Sequence, residues 1–144
     1  MYLLDTNILS ELIRVRPSPN VVRRFETSRT EELYTSVICL EEIRFGTLIA
    51  PRENRLWERM QRKVLIRITR LSIDEPVSLL AASLRADWKK AGTPVGYRDG
   101  LIAASAKAHN LKLVTRNTGH FDHVLGLKVE NWFEPPVAAD SERI

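Results

Sequence analysis

The chain has 144 residues, 44% of them hydrophobic, enough to bury one core and too few for a second. A single cysteine, Cys39, and three histidines exclude an intramolecular disulfide and a thiolate zinc site; no apolar run approaches the roughly 18 residues that cross a bilayer, and the start lacks a secretory signal's basic region, so a cytoplasmic setting is expected. The balance of 22 Lys and Arg against 18 Asp and Glu, net +4, permits a polyanionic partner without requiring one.

Tyr2 to Asp5 is a short apolar strand ending in an acid. Thr6 offers a helix N-cap, and Ile8, Leu9, Leu12 and Ile13 follow at helical spacing. Pro17 and Pro19 close that helix and open a second, with Val21, Val22 and Phe25 as its apolar face. Leu33 to Val37 is a β-branched and aromatic strand. From Ile38 the period changes: Ile38, Glu42, Phe45 and Ile49, one turn apart, predict a helix. Pro51 and Asn54 punctuate, and a long basic helix is expected next. It carries Trp57, Met60, Val64 and Ile68 on one face and Arg55, Arg59 and Arg62 on the other. Between Arg52 and Arg70 seven basic residues (with Lys63 and Arg67) face only Glu53 and Glu58. That stretch suits a solvated face, an RNA backbone or a partner's acidic groups.

Leu71 to Ile73 fits a strand, and Pro76 starts a helix carrying Leu79, Leu80, Leu84 and Trp88 that ends near Gly92. After a loop to Gly96, Asp99 heads an alanine-rich helix running to about His109, with Asn110 as its C-cap. Leu111 to Thr115 is another strand, Asn117 to Gly119 a turn, and Leu127 to Val129 a last strand. Strands alternating with helices predict an α/β domain: a central, mostly parallel sheet flanked by helices in an α/β/α arrangement. It spans residues 1–134, with 135–144 a flexible C-terminal tail.

In such sheets ligands bind at the carboxyl ends of the strands. Asp5 falls on that edge, as do Thr115 and Asn117; helices aligned with it add Glu42 and Asp99. All three acids keep apolar company, where carboxylates are seldom buried unless paired or bound to a cation. If they converge, repulsion raises at least one pKa, or a divalent ion relieves it. Mg²⁺ and Mn²⁺ prefer such hard oxygen donors, and can orient a phosphodiester and activate water. Taken singly, each acid also has a structural reading. Asp5 and Asp99 can cap helices, and Glu42 can lie on a solvated face beside Glu41.

Four stretches carry a family resemblance: Met1 to Ser10 (MYLLDTNILS), Thr35 to Gly46 (TSVICLEEIRFG), Tyr97 to Ala106 (YRDGLIAASA) and Leu113 to Phe121 (LVTRNTGHF). In this order and spacing the chain resembles a PIN-domain ribonuclease, specifically a VapC-type toxin of a bacterial type II toxin–antitoxin system. The resemblance implies a PIN-like fold and a metal site on Asp5, Glu42 and Asp99. Glu42 rather than Glu41 matches, because the family's acid directly precedes the run seen here as Ile43-Arg44-Phe45-Gly46. At the fourth acid the chain departs: many relatives carry Asp where this chain has Asn117, or an acid where it has His120. Asn117 and Asp122 are the weaker candidate ligands. Thr6 and Thr115 are candidates to support the carboxylates, and Arg98 and Arg116 to touch the scissile phosphate.

The resemblance further implies an Mg²⁺- or Mn²⁺-dependent endoribonuclease cutting structured RNA, above all tRNA, and leaving 5′-phosphate and 3′-hydroxyl ends. It implies a cognate VapB-type antitoxin that lays a segment across the toxin, an Arg of which enters the acidic site. Operator DNA is then met only through the antitoxin, a homodimer is implied, and no membrane is involved. Two alternatives stand beside this: a catalytically inactive PIN scaffold, kept open by the missing fourth acid, and a receiver-like signalling domain. The latter would need two adjacent acids after the first strand, where this chain has Asp5-Thr6. The pair His120 and His123 lacks the further ligands a zinc site needs, and Cys39, between Ile38 and Leu40, reads as a small core residue.

Overall fold

A computed structural model describes residues 1–51 and 53–136, without the side chains of Glu53 and Asn54. The elements run β1 (Tyr2–Leu4), α1 (Thr6–Leu12), α2 (Pro19–Thr27), β2 (Leu33–Ser36), α3 (Val37–Ile49), α4 (Glu53–Lys63), β3 (Thr69–Leu71), α5 (Glu75–Lys90), α6 (Tyr97–Ala108), β4 (Lys112–Val114) and β5 (Val129–Glu130). The five strands form one sheet in the order β3-β2-β1-β4-β5, and every pairing is parallel. The expected α/β architecture is therefore present. Of the expected tail, residues 137–144 lie outside the described residues.

β1 is the middle strand because it is apolar on both faces: Leu3 and Leu4 are wholly buried, as a parallel strand covered by helices on each side requires. Tyr2 pairs with Leu33 on one side and Lys112 on the other. The chain leaves β1 toward β2 while β4 returns beside it from the far end of the sequence. That reversal of direction opens a crevice at the carboxyl ends of β1 and β4. Asp5 is the first residue beyond β1, and its N–H reaches the Val114 carbonyl at 2.9 Å.

Four details differ from the sequence reading, each for a local reason. The cap of α1 is Asp5, not Thr6; its carboxylate accepts from the Thr6 N–H at 2.7 Å. The buried face of α3 is Cys39, Ile43 and Thr47. The stripe through Phe45 and Ile49 faces outward, with these two 57% and 70% exposed. The basic helix is shorter than expected: α4 ends at Lys63, a single 3₁₀ turn covers Leu65–Arg67, and Thr69–Leu71 rather than Leu71–Ile73 joins the sheet. Leu65 and Ile68 are buried there, and the tighter turn swings both inward as the chain enters β3. β5 begins at Val129 because Leu127 still closes a turn through Gly126, whose φ of +78° suits glycine.

The basic stretch is thereby divided. Arg55, Arg62 and Arg70 are exposed. Arg67 instead donates to the carbonyls of Phe25 (3.1 Å) and Ser28 (2.6 Å) and lies over the Phe25 ring, which ties α2 to the start of β3. Asn110 takes the left-handed conformation, φ +53°, but the C-cap of α6 is His109, one residue before the expected position. Gly100, beside Asp99, lets α5 approach α6: a Cβ there would stand 2.7 Å from Arg85 Cγ. Among the described residues no helix is long and apolar enough to cross a membrane.

Candidate metal and phosphodiester site

Asp5 sits at the crevice because β1 must end where its apolar run ends. The residue is 1% exposed and its side chain is fully engaged. Oδ1 accepts from the Thr6 N–H, while Oδ2 accepts from Thr115 Oγ1 at 2.9 Å. The Thr115 hydroxyl in turn accepts from the Asn117 N–H at 3.1 Å, and the Thr115 N–H is held by the Glu130 carbonyl at 3.0 Å. Thr6 Oγ1 likewise donates to Glu42 Oε1 at 3.0 Å.

Glu42 arrives from α3 and Asp99 from the first turn of α6. The three acids converge on one group, the guanidinium of Arg98. Its Nη2 meets Asp5 Oδ1 at 2.5 Å, its Nε meets Glu42 Oε1 at 2.5 Å, and its Nη1 meets Asp99 Oδ1 at 2.8 Å. Nη2 also donates to Thr6 Oγ1 at 3.1 Å. Partial burial works against the charge of Arg98, but Asp5 and Glu42 outweigh it and hold the guanidinium protonated well above its ordinary value. Sequence reading set Arg98 against a substrate phosphate; in the structure it turns inward to the acids.

The remaining candidates separate. Arg116 is exposed at the end of β4, its guanidinium over the Phe133 ring at 4.4 Å. Asn117 and Asp122 are exposed, and among the described residues neither side chain is joined to the three acids. His120 takes that place: its Nδ1 lies 3.2 Å from Asp99 Oδ2. This contact was missed by the sequence reading. A pocket of about 300 Å³ opens beside it, lined by Val95, Gly96, Asp99, His120 and His123 among others. Cys39 is buried as expected, and its thiol points to Asp5 Oδ1 at 3.6 Å. Burial, with the Asp5 charge, pushes that thiol up to about 12, so it serves as a neutral donor and not as a nucleophile.

The donor chemistry fits a hard divalent cation: three carboxylates from three elements all draw onto a single positive centre. They are spread around a planar guanidinium, however, and among the described residues no three acidic, His or Cys side chains are gathered tightly enough to grip an ion as they stand.

The model of the PIN domain family matches residues 2–126. Toxin FitB of Neisseria gonorrhoeae is 37% identical over 126 residues, covering 84% of this chain and 91% of its own. VapC ribonuclease Y4jK of Sinorhizobium fredii is 36% identical, covering 94% and 99%. Among solved structures, FitAB bound to a DNA fragment contains a chain that superposes with a TM-score of 0.85 at 34% identity, over 96% of this chain and 99% of that one.

Proposed function

Because the chain belongs to the PIN domain family, we propose that it is the endoribonuclease toxin of a toxin–antitoxin pair, acting on structured RNA with Mg²⁺ or Mn²⁺. The convergence of Asp5, Glu42 and Asp99 on one positive centre carries this reading. A divalent ion held by these carboxylates would polarise the scissile phosphoryl group and supply hydroxide from water at neutral pH. The protein's own part is positional. Thr115 and the Thr6 N–H fix both oxygens of Asp5, so the buried acid does not reorganise during reaction. Glu42 and Asp99 have side chains 32% and 17% exposed, and form the open rim that a phosphodiester would approach. Arg116, on the same edge, offers a cation to the RNA backbone. tRNA is the first substrate to try.

An antitoxin has a place to bind. An apolar groove of about 230 Å³, lined by Ile13, Ile43, Gly46 and Leu56 and also by Glu42, lies between α1, α3 and α4, with exposed Phe45 and Leu48 nearby. A partner segment with apolar anchors would fill it. An Arg of that segment would have to displace the Arg98 guanidinium from these acids.

Purified protein is expected to cut tRNA in Mg²⁺ or Mn²⁺ and to leave 5′-phosphate and 3′-hydroxyl ends, with no cutting in excess EDTA. Undiminished cleavage in EDTA, or 2′,3′-cyclic phosphate ends, would contradict the metal-dependent reading.

A further inference from the structure

Resting on that metal-dependent reading, we propose that Arg98 is an internal stand-in for the divalent cation: it occupies the carboxylate cluster while the metal is absent and must leave for the metal to enter. Each nitrogen of the guanidinium is committed to a different acid, Nη2 to Asp5, Nε to Glu42 and Nη1 to Asp99, and Nη2 holds Thr6 Oγ1 as well. The oxygens it occupies, Asp5 Oδ1, Glu42 Oε1 and Asp99 Oδ1, are the ones that converge on the centre of the site. A second positive group cannot share them, because like charges at contact distance exclude each other.

The exchange is mechanically open. The Arg98 side chain is 34% exposed, it springs from the first turn of α6, and the loop before that helix ends in Gly96. The chain therefore carries its own competitor. In the empty protein Arg98 cancels a repulsion that would otherwise push three acids apart, which keeps the site assembled without metal. The same contacts must be broken when an ion binds, so they weaken metal affinity by whatever they contribute to the empty state.

The two consequences have opposite signs, which separates them from a merely structural role. Arg98→Ala is expected to lower the melting temperature in EDTA yet to bind Mn²⁺ about tenfold more tightly than the unaltered protein by calorimetry. Its melting temperature should also rise more on adding Mn²⁺. Arg98→Lys, a compact cation with one attachment point, should fall between the two, and serves if the alanine variant does not fold. Asp99→Asn is the reference for the site itself and should lose Mn²⁺ binding in either background. Equal or weaker Mn²⁺ affinity in both Arg98 variants, with Asp99→Asn still losing it, would overturn the competitor role and leave the metal reading standing. Absence of Mn²⁺ binding in every protein would overturn both.

Discussion

Asp5→Asn is expected to reduce RNA cleavage by at least roughly a hundredfold, the upper end of what outer-sphere partners of a metal site contribute, while leaving the fold in place. Asparagine matches aspartate in shape and is as good a helix N-cap, so the hydrogen bond from the Thr6 N–H and the start of α1 survive. The amide nitrogen then replaces the oxygen that faced Thr115, whose hydroxyl accepts instead of donating. What goes is the negative charge of the most buried member of the cluster, 1% exposed, and one carboxylate partner of Arg98. Rates measured alongside melting curves check both halves. Normal cleavage by a folded variant would remove Asp5 from the chemistry.

Trp132→Ala is expected to cost about 3–5 kcal/mol of stability, a large share of the roughly 5–15 kcal/mol that holds an ordinary domain together. Trp132 is 1% exposed and among the largest fully buried side chains. It packs edge-on against Tyr2 at 5.3 Å and lies under the Arg24 guanidinium, and its indole N–H donates to Glu130 at 3.1 Å. Glu130 is shared with Arg24 and Lys112. Partial burial pulls its carboxyl up, but the indole, Arg24 and Lys112 together hold it below the ordinary value. Removing the indole therefore loosens β5 on the outer side of β4. The effect reaches the site, since the Glu130 carbonyl holds the Thr115 N–H and Thr115 holds Asp5. Denaturant melts should show the loss, whereas Leu125→Ala, 86% exposed, should melt like the unaltered protein. A Trp132 variant within about 1 kcal/mol of the parent would show that the β5 edge does not depend on this side chain.

Much of this was legible in the chain because the relevant constraints are local. An apolar triplet followed by an acid, Tyr2-Leu3-Leu4-Asp5, forces the carboxylate to the end of a buried strand. The alanine-rich stretch after Asp99 had to be a closely packed helix. Other features depend on tertiary packing, which periodicity does not record. Trp57, Met60, Val64 and Ile68 keep helical spacing, yet Ile68 is buried beyond a 3₁₀ turn beside the sheet; the same demand for burial is met by another backbone. Phe45 and Ile49 sit at helical spacing on a face that no described residue covers. The inward turn of Arg98 was hidden for a different reason. Arg98 beside Asp99 suggested a cation placed for the scissile phosphate. Only the positions of Asp5 and Glu42 across the crevice draw its long side chain back. His120 went unrecognised in the same way, because its partner Asp99 lies on another element.

Diffraction from crystals soaked in Mn²⁺, recorded for anomalous scattering, tests the shared-cation account most directly. The account predicts a manganese peak about 2.1 Å from carboxylate oxygens of Asp5, Glu42 and Asp99, with the Arg98 guanidinium withdrawn from among them. Saturating Mn²⁺ that leaves Arg98 in place, or that binds only away from these three acids, would contradict it.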